Sequence, residues 1–224
     1  MPDPKPNLLT FDLTELAQFT QEGEFASDAS KDFHLFYVGR DNVHGILEYL
    51  WTRVTVSAYL NMYGYDDPDL NALVMAVAEN PHATAVYTLD RQQAGGKVEK
   101  ALLASDVAAD PSAYAAHFAI GESATHQITH TKGGVLDGRV GFEGSTNWSR
   151  GGEGTFLTGT TAPGGVGYQA QNNTLSVFTD SDTCARFTAE LIAEHLTVVS
   201  QQGSLSRAPA PTAKPPAAPA TSKP

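Results

Sequence analysis

The stretch of sequence that decides the fold and the chemistry of this chain is THQITHTKGGVLDGRVGFEGSTNWS, residues 125–149. Side chains alternate between the two faces of an extended strand, so we expect His126, His130 and Lys132 to share one face. Two imidazoles and an ammonium group would then lie on the same surface.

A turn is predicted to fold this strand back on itself. The glycine pair at 133–134 predicts a break or bulge, and Asp137-Gly138 is a strong two-residue hairpin turn. The return strand then carries Ser145 and Asn147 back toward the histidine face. The segment is therefore expected to gather several polar groups at one end of a hairpin.

The gathered groups suit chemistry on a phosphate. A cation and neutral donors such as Lys132, Ser145 and Asn147 can hold a tetrahedral phosphate. A neighbouring imidazole, His130, can attack phosphorus or shuttle a proton. The pattern therefore predicts a phosphodiester-cleaving site that contains no metal.

Six residues of this segment follow the spacing of the phospholipase D superfamily signature: His130-x-Lys132-x4-Asp137-x6-Gly144-Ser145-x-Asn147. Six fixed residues at frequencies of a few per cent give a chance match on the order of 10⁻⁸ per starting position. The chain thus resembles this superfamily, and the pattern of helices and strands extends the resemblance over residues 33–199.

The resemblance assigns a role to each motif residue. It implies that His130 is either the nucleophile that forms a phosphohistidine or the acid that protonates the leaving oxygen. Lys132 and Asn147 would bind phosphoryl oxygens with help from Ser145, and Asp137 would orient the histidine and support it electrostatically. No cofactor is implied.

The mechanism of the superfamily needs two such histidines, and long members supply two complete motifs. The 224 residues contain one motif, and His126 has no downstream lysine, aspartate and Gly-Ser-x-Asn of its own. The resemblance to small bacterial nucleases of the superfamily therefore implies a homodimer whose two-fold axis passes through a shared active site.

One position departs from the superfamily pattern. Many members carry Asn-x-Glu on the next strand, where this chain has Gln171-Asn172-Asn173. An amide can hydrogen-bond a histidine, but it cannot tune the histidine pKa with a charge.

Candidates to support the site are the neighbouring residues His126, Glu122, Glu143, Gln171, Asn173 and Trp148. Trp148 could stack against substrate or serve as a packing lid.

Other kinds of site fit less well. A zinc site at His126 and His130 has no third ligand at a typical spacing, and Lys132 would repel the cation. Ser145 lies in GSTN rather than in the G-x-S-x-G of serine hydrolases. The single cysteine, Cys184, lies on a predicted helix and is expected to be buried packing.

The predicted activity is that of a metal-independent phosphodiesterase, with nucleic acid as the first substrate class. The alternatives are a phospholipid hydrolase or phosphatidyl transferase that uses the same groups, and a member that binds nucleic acid or protein without catalysis. No amphipathic basic helix is evident, which disfavours the lipid alternative.

Helices and strands alternate along the chain. Strands are predicted at 33–38, 54–60 and 83–89, and helices at 42–51, 67–80, 97–104 and 183–199. We therefore expect a single-domain α/β fold with a mixed, largely parallel β-sheet flanked by helices on both faces. Residues 1–32 are expected to be a peripheral acidic lead-in, 33–200 the catalytic domain, and the Pro/Ala-rich 201–224 a disordered tail.

Composition limits the classes of protein to which the chain can belong. With 14 basic and 25 acidic residues, the net charge of −11 excludes a histone-like or polybasic membrane-surface role. One cysteine excludes a disulfide-stapled scaffold. No signal-peptide pattern and no run of ~18 apolar residues is present, so a cytoplasmic location without stable membrane insertion is expected.

Overall fold

Seven strands form one sheet at the centre of the computed structural model, which describes residues 6–123, 128–155 and 170–205. The strands are β1 (Phe33–Tyr37), β2 (Ser57–Met62), β3 (Thr84–Asp90), β4 (Phe118–Gly121), β5 (Lys132–Leu136), β6 (Val140–Gly144) and β7 (Thr174–Phe178). Their order across the sheet is β1-β7-β6-β5-β2-β3-β4.

Helices connect the strands and cover the sheet. They are α1 (Val43–Trp51), α2 (Pro68–Ala78), α3 (Arg91–Ala94), α4 (Lys97–Ala109), α5 (Pro111–His117), α6 (Arg150–Glu153) and α7 (Ser181–Leu205). As the sequence predicts, Asp67 caps α2, because its side chain accepts hydrogen bonds from the backbone N–H groups of Asp69 and Leu70.

The pairing of the strands follows from their connections. β3 lies parallel to β2 and β4, to which it is joined through helices, whereas β2–β5, β5–β6, β6–β7 and β7–β1 are antiparallel. The prediction of a mixed α/β sheet is confirmed, but the expectation of largely parallel pairing is wrong. A tight turn joins β5 to β6 without a crossover helix, and such a turn permits only antiparallel strands.

The turn between β5 and β6 is the predicted two-residue hairpin. Asp137 and Gly138 both have positive φ, 52° and 64°, and the backbone N–H of Arg139 donates to the carbonyl of Leu136 at 3.0 Å. Positive φ at both central residues is the mirror-image turn geometry that matches the twist of the strands. This part of the prediction is confirmed.

The glycine pair 133–134 does not break the strand as the sequence suggested. Both glycines lie within β5, which begins at Lys132 rather than upstream of it. A Cβ at Gly133 would lie 2.6 Å from the carbonyl oxygen of Phe142, and one at Gly134 would lie 2.5 Å from that of Tyr59. Glycine is therefore required at both positions, because the backbone of β6 approaches Gly133 and the backbone of β2 approaches Gly134 too closely for a side chain.

Each face of the sheet packs against helices, as predicted. The larger core lies on the side of α1 and α2 and includes Leu60, Leu136 and Phe142. The smaller core lies under α7 and includes Val135, Phe178, Cys184 and Leu191. Alternating residues of one strand, such as Val135 and Leu136, thus serve opposite cores.

The segment before β1 is not peripheral. Leu8, Leu13 and Leu16 are buried in the larger core, and two 3₁₀ helices, Leu8–Thr10 and Leu13–Phe19, carry them. The acidic residues of this segment led to the prediction of a lead-in on the surface, which is wrong because the leucines between them face inward.

The C-terminal boundary also differs from the prediction. α7 continues to Leu205, past position 201 where a disordered tail was expected to begin. Residues 206–224 lie outside the described residues, so disorder there stays a prediction. Among the helices of the described chain, none combines the length and apolar character needed to span a bilayer.

Candidate active site

Four of the predicted motif residues lie at one end of the sheet: His130, Lys132, Ser145 and Asn147. β2 and β6 end there and the antiparallel β5 begins there, so Tyr63, Lys132 and Ser145 follow or open neighbouring strands. β3 also ends at this edge, at Asp90, because it is parallel to β2. The opposite end of the sheet holds the hairpin turn at 137–138.

His130 is exposed on a short irregular segment just before β5. Two backbone hydrogen bonds fix this segment: the N–H of Thr129 donates to Asp90 Oδ2 at 2.9 Å, and the N–H of Tyr63 donates to the carbonyl of Thr131 at 3.0 Å. The imidazole lies against the ring of Tyr63, with centroids 4.6 Å apart. The histidine is therefore held in place yet open to a ligand.

Lys132 lies directly beside it and is only 5% exposed. Its Nζ donates to the carbonyl oxygen of His130 at 2.7 Å and lies 4.7 Å from the ring centroid of Tyr63. Burial lowers the pKa of Lys132, while the charges of Glu143 and Asp90 oppose that shift. The ammonium group can bind a phosphoryl oxygen with the donors that the carbonyl leaves free.

Ser145 and Asn147 follow β6 into the same region. The hydroxyl of Ser145 accepts a hydrogen bond from the backbone N–H of Thr174 at 2.9 Å, which ties it to the start of β7. Asn147 packs against Gly64, where a Cβ would lie 3.2 Å from the amide group. Asn147 Oδ1 is buried and has no hydrogen-bond partner, so this amide has capacity left for a ligand.

Asp137 lies at the far end of β5 from His130. Its carboxylate accepts hydrogen bonds from the backbone N–H groups of Thr55, Val56 and Ser57 at 2.8–3.0 Å. It therefore fastens the hairpin turn to the residues that lead into β2. The expectation that it orients the histidine is wrong, because a strand of five residues separates the two groups.

Trp148 is a core residue. It is 1% exposed and packs against the rings of Trp51, Tyr65 and Phe142, at centroid distances of 5.7, 5.5 and 6.3 Å. The sequence left two interpretations of Trp148 open, packing and stacking against substrate. The structure shows packing, so the stacking interpretation is wrong.

The residues expected to replace the missing glutamate lie in different places. Glu122 pairs with Arg91, 3.6 Å between Oε1 and a guanidinium nitrogen, and Glu143 interacts electrostatically with Lys132. Asn173 donates to the carbonyl of Gly152 at 3.0 Å and to Gln171 Oε1 at 3.1 Å. Glu143 is thus the carboxylate among them that acts on a motif residue. The Asn173 amide supports α6, and the Gln171 amide accepts from Asn173.

His126 lies outside the described residues. Sequence reasoning overlooked three others that shape the site: Asp90, which anchors Thr129; Tyr63, which contacts His130 and Lys132; and Gln93, which donates to the Tyr63 hydroxyl at 2.9 Å. Asp90 could have been found, because it directly follows the strand predicted at 83–89. The contacts of Tyr63 depend on strand pairing and left no local signal.

A second ionisable cluster is formed by His44, Asp67 and Glu153. His44 Nδ1 and Glu153 Oε2 are 2.5 Å apart, and Asp67 Oδ2 is 3.6 Å from the same nitrogen. Burial would lower the pKa of His44, but the hydrogen bond to Glu153 and nearby acidic charges raise it to about 9. His44, Asp67 and Asp69 also have atoms close enough to share a metal ion, and none of the motif residues belongs to this group.

Comparisons with known proteins bear on the fold. No protein-family profile and no curated protein sequence matches the chain. Among solved structures, it is similar to a phospholipase D family member, Nuc from Salmonella typhimurium, with a TM-score of 0.51 and 12% identity over 72% of this chain and 92% of that one.

Two further solved structures are similar at lower scores. NucT from Helicobacter pylori has a TM-score of 0.49 and 13% identity over 72% of this chain and 94% of that one. Phosphatidylserine synthase from Haemophilus influenzae Rd KW20 has a TM-score of 0.48 and 12% identity over 76% of this chain and 37% of that one. The likeness to Nuc establishes the fold alone.

Proposed function

We propose that this chain, which has the phospholipase D-like fold, is a phosphodiesterase that works without a metal through a phosphohistidine at His130. The observation that carries the proposal is the hydrogen bond from the buried ammonium group of Lys132 to the backbone carbonyl of His130, a residue whose imidazole is exposed. A nucleophile beside a fixed cation, with the Asn147 amide at the same edge of the sheet, suits attack on a phosphate.

The proposed reaction has two steps. A ring nitrogen of His130 attacks phosphorus, the bond from phosphorus to the leaving oxygen breaks, and a second histidine donates a proton to that oxygen. Water then attacks the phosphohistidine, the N–P bond breaks, and the second histidine takes the proton of the water. Lys132 and Asn147 hold the phosphoryl oxygens throughout, and Tyr63 orients the attacking ring.

The second histidine is proposed to be His130 of another copy of the chain. The sequence carries one motif, and an exposed His130 can meet its symmetry mate across a two-fold axis. If wild-type and His130→Ala chains are mixed in equal amounts and allowed to exchange, only about one quarter of the dimers keep both histidines. Activity near one quarter of the wild-type value supports the shared site, and one half contradicts it.

Nucleic acid is the substrate class that the sequence favours. A second candidate, a phosphodiester with an amine-bearing head group, is favoured by an acidic cavity beside Asn147. Plasmid DNA, single-stranded DNA and phosphatidylcholine incubated with the protein in excess chelator would identify the class. Cleavage that survives chelator supports the proposal, and loss of cleavage on chelation contradicts it.

Variants at two exposed histidines make the test specific. His130→Ala should reduce turnover by at least about 100-fold without loss of stability, because the side chain is exposed. His82→Ala is the matched control, since His82 is also exposed but precedes β3 at the opposite end of the sheet. Turnover that persists in His130→Ala would show that the motif is not the active site.

A further inference from the structure

A cavity of about 290 Å³ adjoins the proposed active site. Asn147 lines it, and so does Gln93, whose amide donates to the hydroxyl of Tyr63. The ring of Tyr63 in turn contacts His130. A group attached to a phosphate held by Asn147 could therefore enter this cavity.

Three buried oxygen atoms in the residues that line the cavity have no hydrogen-bond partner. They are Asp66 Oδ1, Glu99 Oε1 and Asn147 Oδ1. Glu99 is 4% exposed, and its other oxygen accepts from the backbone N–H of Tyr65 at 3.0 Å. Buried acceptors without partners are rare and costly, and a ligand that supplies donors would remove the cost.

The cavity also lacks a buried positive charge. Burial raises the pKa of Glu99 to about 8, with the charges of Asp66 and Asp90 adding to that shift. Lys97, the cation among the lining residues, is exposed, and no ion pair forms between it and a described carboxylate. Two neighbouring carboxyl groups with no buried cation among the lining residues form a site for a positively charged donor.

We infer that this cavity is a substrate subsite that binds the ammonium group of an amine-bearing phosphodiester, such as an ester of phosphoethanolamine. The inference rests on the proposed function, because the phosphate must lie at His130, Lys132 and Asn147. It adds the substrate class, an amine-bearing phosphodiester, to that function. The acidic cavity disfavours a polyanionic nucleic acid at this position.

The test compares three phosphodiesters that all release 4-nitrophenol. They are 2-aminoethyl 4-nitrophenyl phosphate, its neutral 2-hydroxyethyl analogue, and thymidine 5′-(4-nitrophenyl phosphate). We expect kcat/KM for the aminoethyl ester to exceed that of the hydroxyethyl ester by about tenfold or more, as hydrogen bonds to charged groups allow. Equal values, or a preference for the thymidine ester, would overturn the inference.

Variants locate the preference in the cavity. Glu99→Gln and Asp66→Asn should each lower the ratio of aminoethyl to hydroxyethyl kcat/KM several-fold. Asp106→Asn is the matched control: Asp106 is a buried carboxyl group two turns further along α4, hydrogen-bonded to Asn71, and it does not line the cavity. A ratio that survives both cavity variants, or that falls as far in Asp106→Asn, would overturn the assignment.

Binding separates this inference from the proposed function. Calorimetry with the full-length His130→Ala chain and glycerophosphoethanolamine should show binding that weakens about tenfold when Glu99→Gln is added. If the wild type binds this ligand but turns over none of the esters, the phosphodiesterase proposal is refuted and the cavity remains an amine-binding site. If it turns over all three esters but binding does not depend on the amine, the subsite inference is refuted and the phosphodiesterase proposal stands. Cleavage of glycerophosphoethanolamine or of phosphatidylethanolamine vesicles would identify the source of the amine-bearing group. If the chain neither binds nor cleaves either of them, the inference is overturned.

Discussion

Replacing Asp137 by asparagine tests whether this motif residue is structural or catalytic. Asp137 Oδ1 accepts from the N–H groups of Val56 and Ser57 at 2.8 and 2.9 Å, and Oδ2 accepts from the N–H and hydroxyl of Thr55 at 3.0 and 2.9 Å. Asparagine keeps one acceptor oxygen and tolerates the positive φ of 52°. The substitution therefore changes the hydrogen bonds and leaves the backbone unstrained.

The expected loss of stability follows from these contacts. A hydrogen bond to a charged group contributes about 1.5–3 kcal/mol, but donors that regain water recover part of it. Asp137→Asn gives up the hydrogen bonds to one carboxylate oxygen and the charge. Since Thr55 and Val56 are exposed, we expect a decrease of about 1.5–2 kcal/mol in the free energy of unfolding. Asp137→Ala adds the cost of a left-handed alanine, about 1 kcal/mol more.

Urea denaturation and initial rates on one substrate distinguish the two roles. The urea midpoint of Asp137→Asn should fall at unchanged slope, while the rate without denaturant stays within about twofold of wild type. Asp110→Asn, which alters another carboxylate cap at the start of α5, should change stability by only a few tenths of a kcal/mol. Unchanged stability with a large loss of rate in Asp137→Asn would refute this account.

Two further predictions concern the site and the second cluster. Tyr63→Ala should lower kcat at least several-fold because the ring packs against His130, whereas Tyr63→Phe should retain most activity; equal losses in steady-state kinetics would argue against ring packing. The pKa of His44 is raised to about 9 from an ordinary value of 6.5, so its stabilising effect is complete below pH 6.5 and disappears as pH rises through 9. The free energy of unfolding should therefore fall by about 1–3 kcal/mol between these limits. In His44→Gln this free energy, taken from denaturation curves at several pH values, should fall less over the same range. An equally steep fall in the variant would contradict this assignment.

The sequence predicted the elements that depend on local pattern. Asp67 and Pro68 mark the start of α2, and Asp137-Gly138 specifies the turn. These predictions succeeded because caps and tight turns are set by a few adjacent residues. His130 and Lys132 lie side by side for the same reason, since they are two positions apart.

The predictions that failed depend on distant contacts. The glycine pair 133–134 resembles a strand break until the backbone of neighbouring strands is in place. Trp148 is buried by three aromatic rings from other elements. Glu99 joins the acidic cavity through α4 and lies more than 30 residues before His130, so its place at the site could not be derived from spacing.

The central claim is that His130 forms a covalent bond to phosphorus, and rapid-quench mass spectrometry tests it most directly. Wild-type protein mixed with a cleavable phosphodiester in excess chelator and quenched within the first turnover should yield a phosphorylated peptide modified at His130. The His130→Ala chain should yield none. An adduct on another residue, or turnover with no adduct at any quench time, would contradict the account.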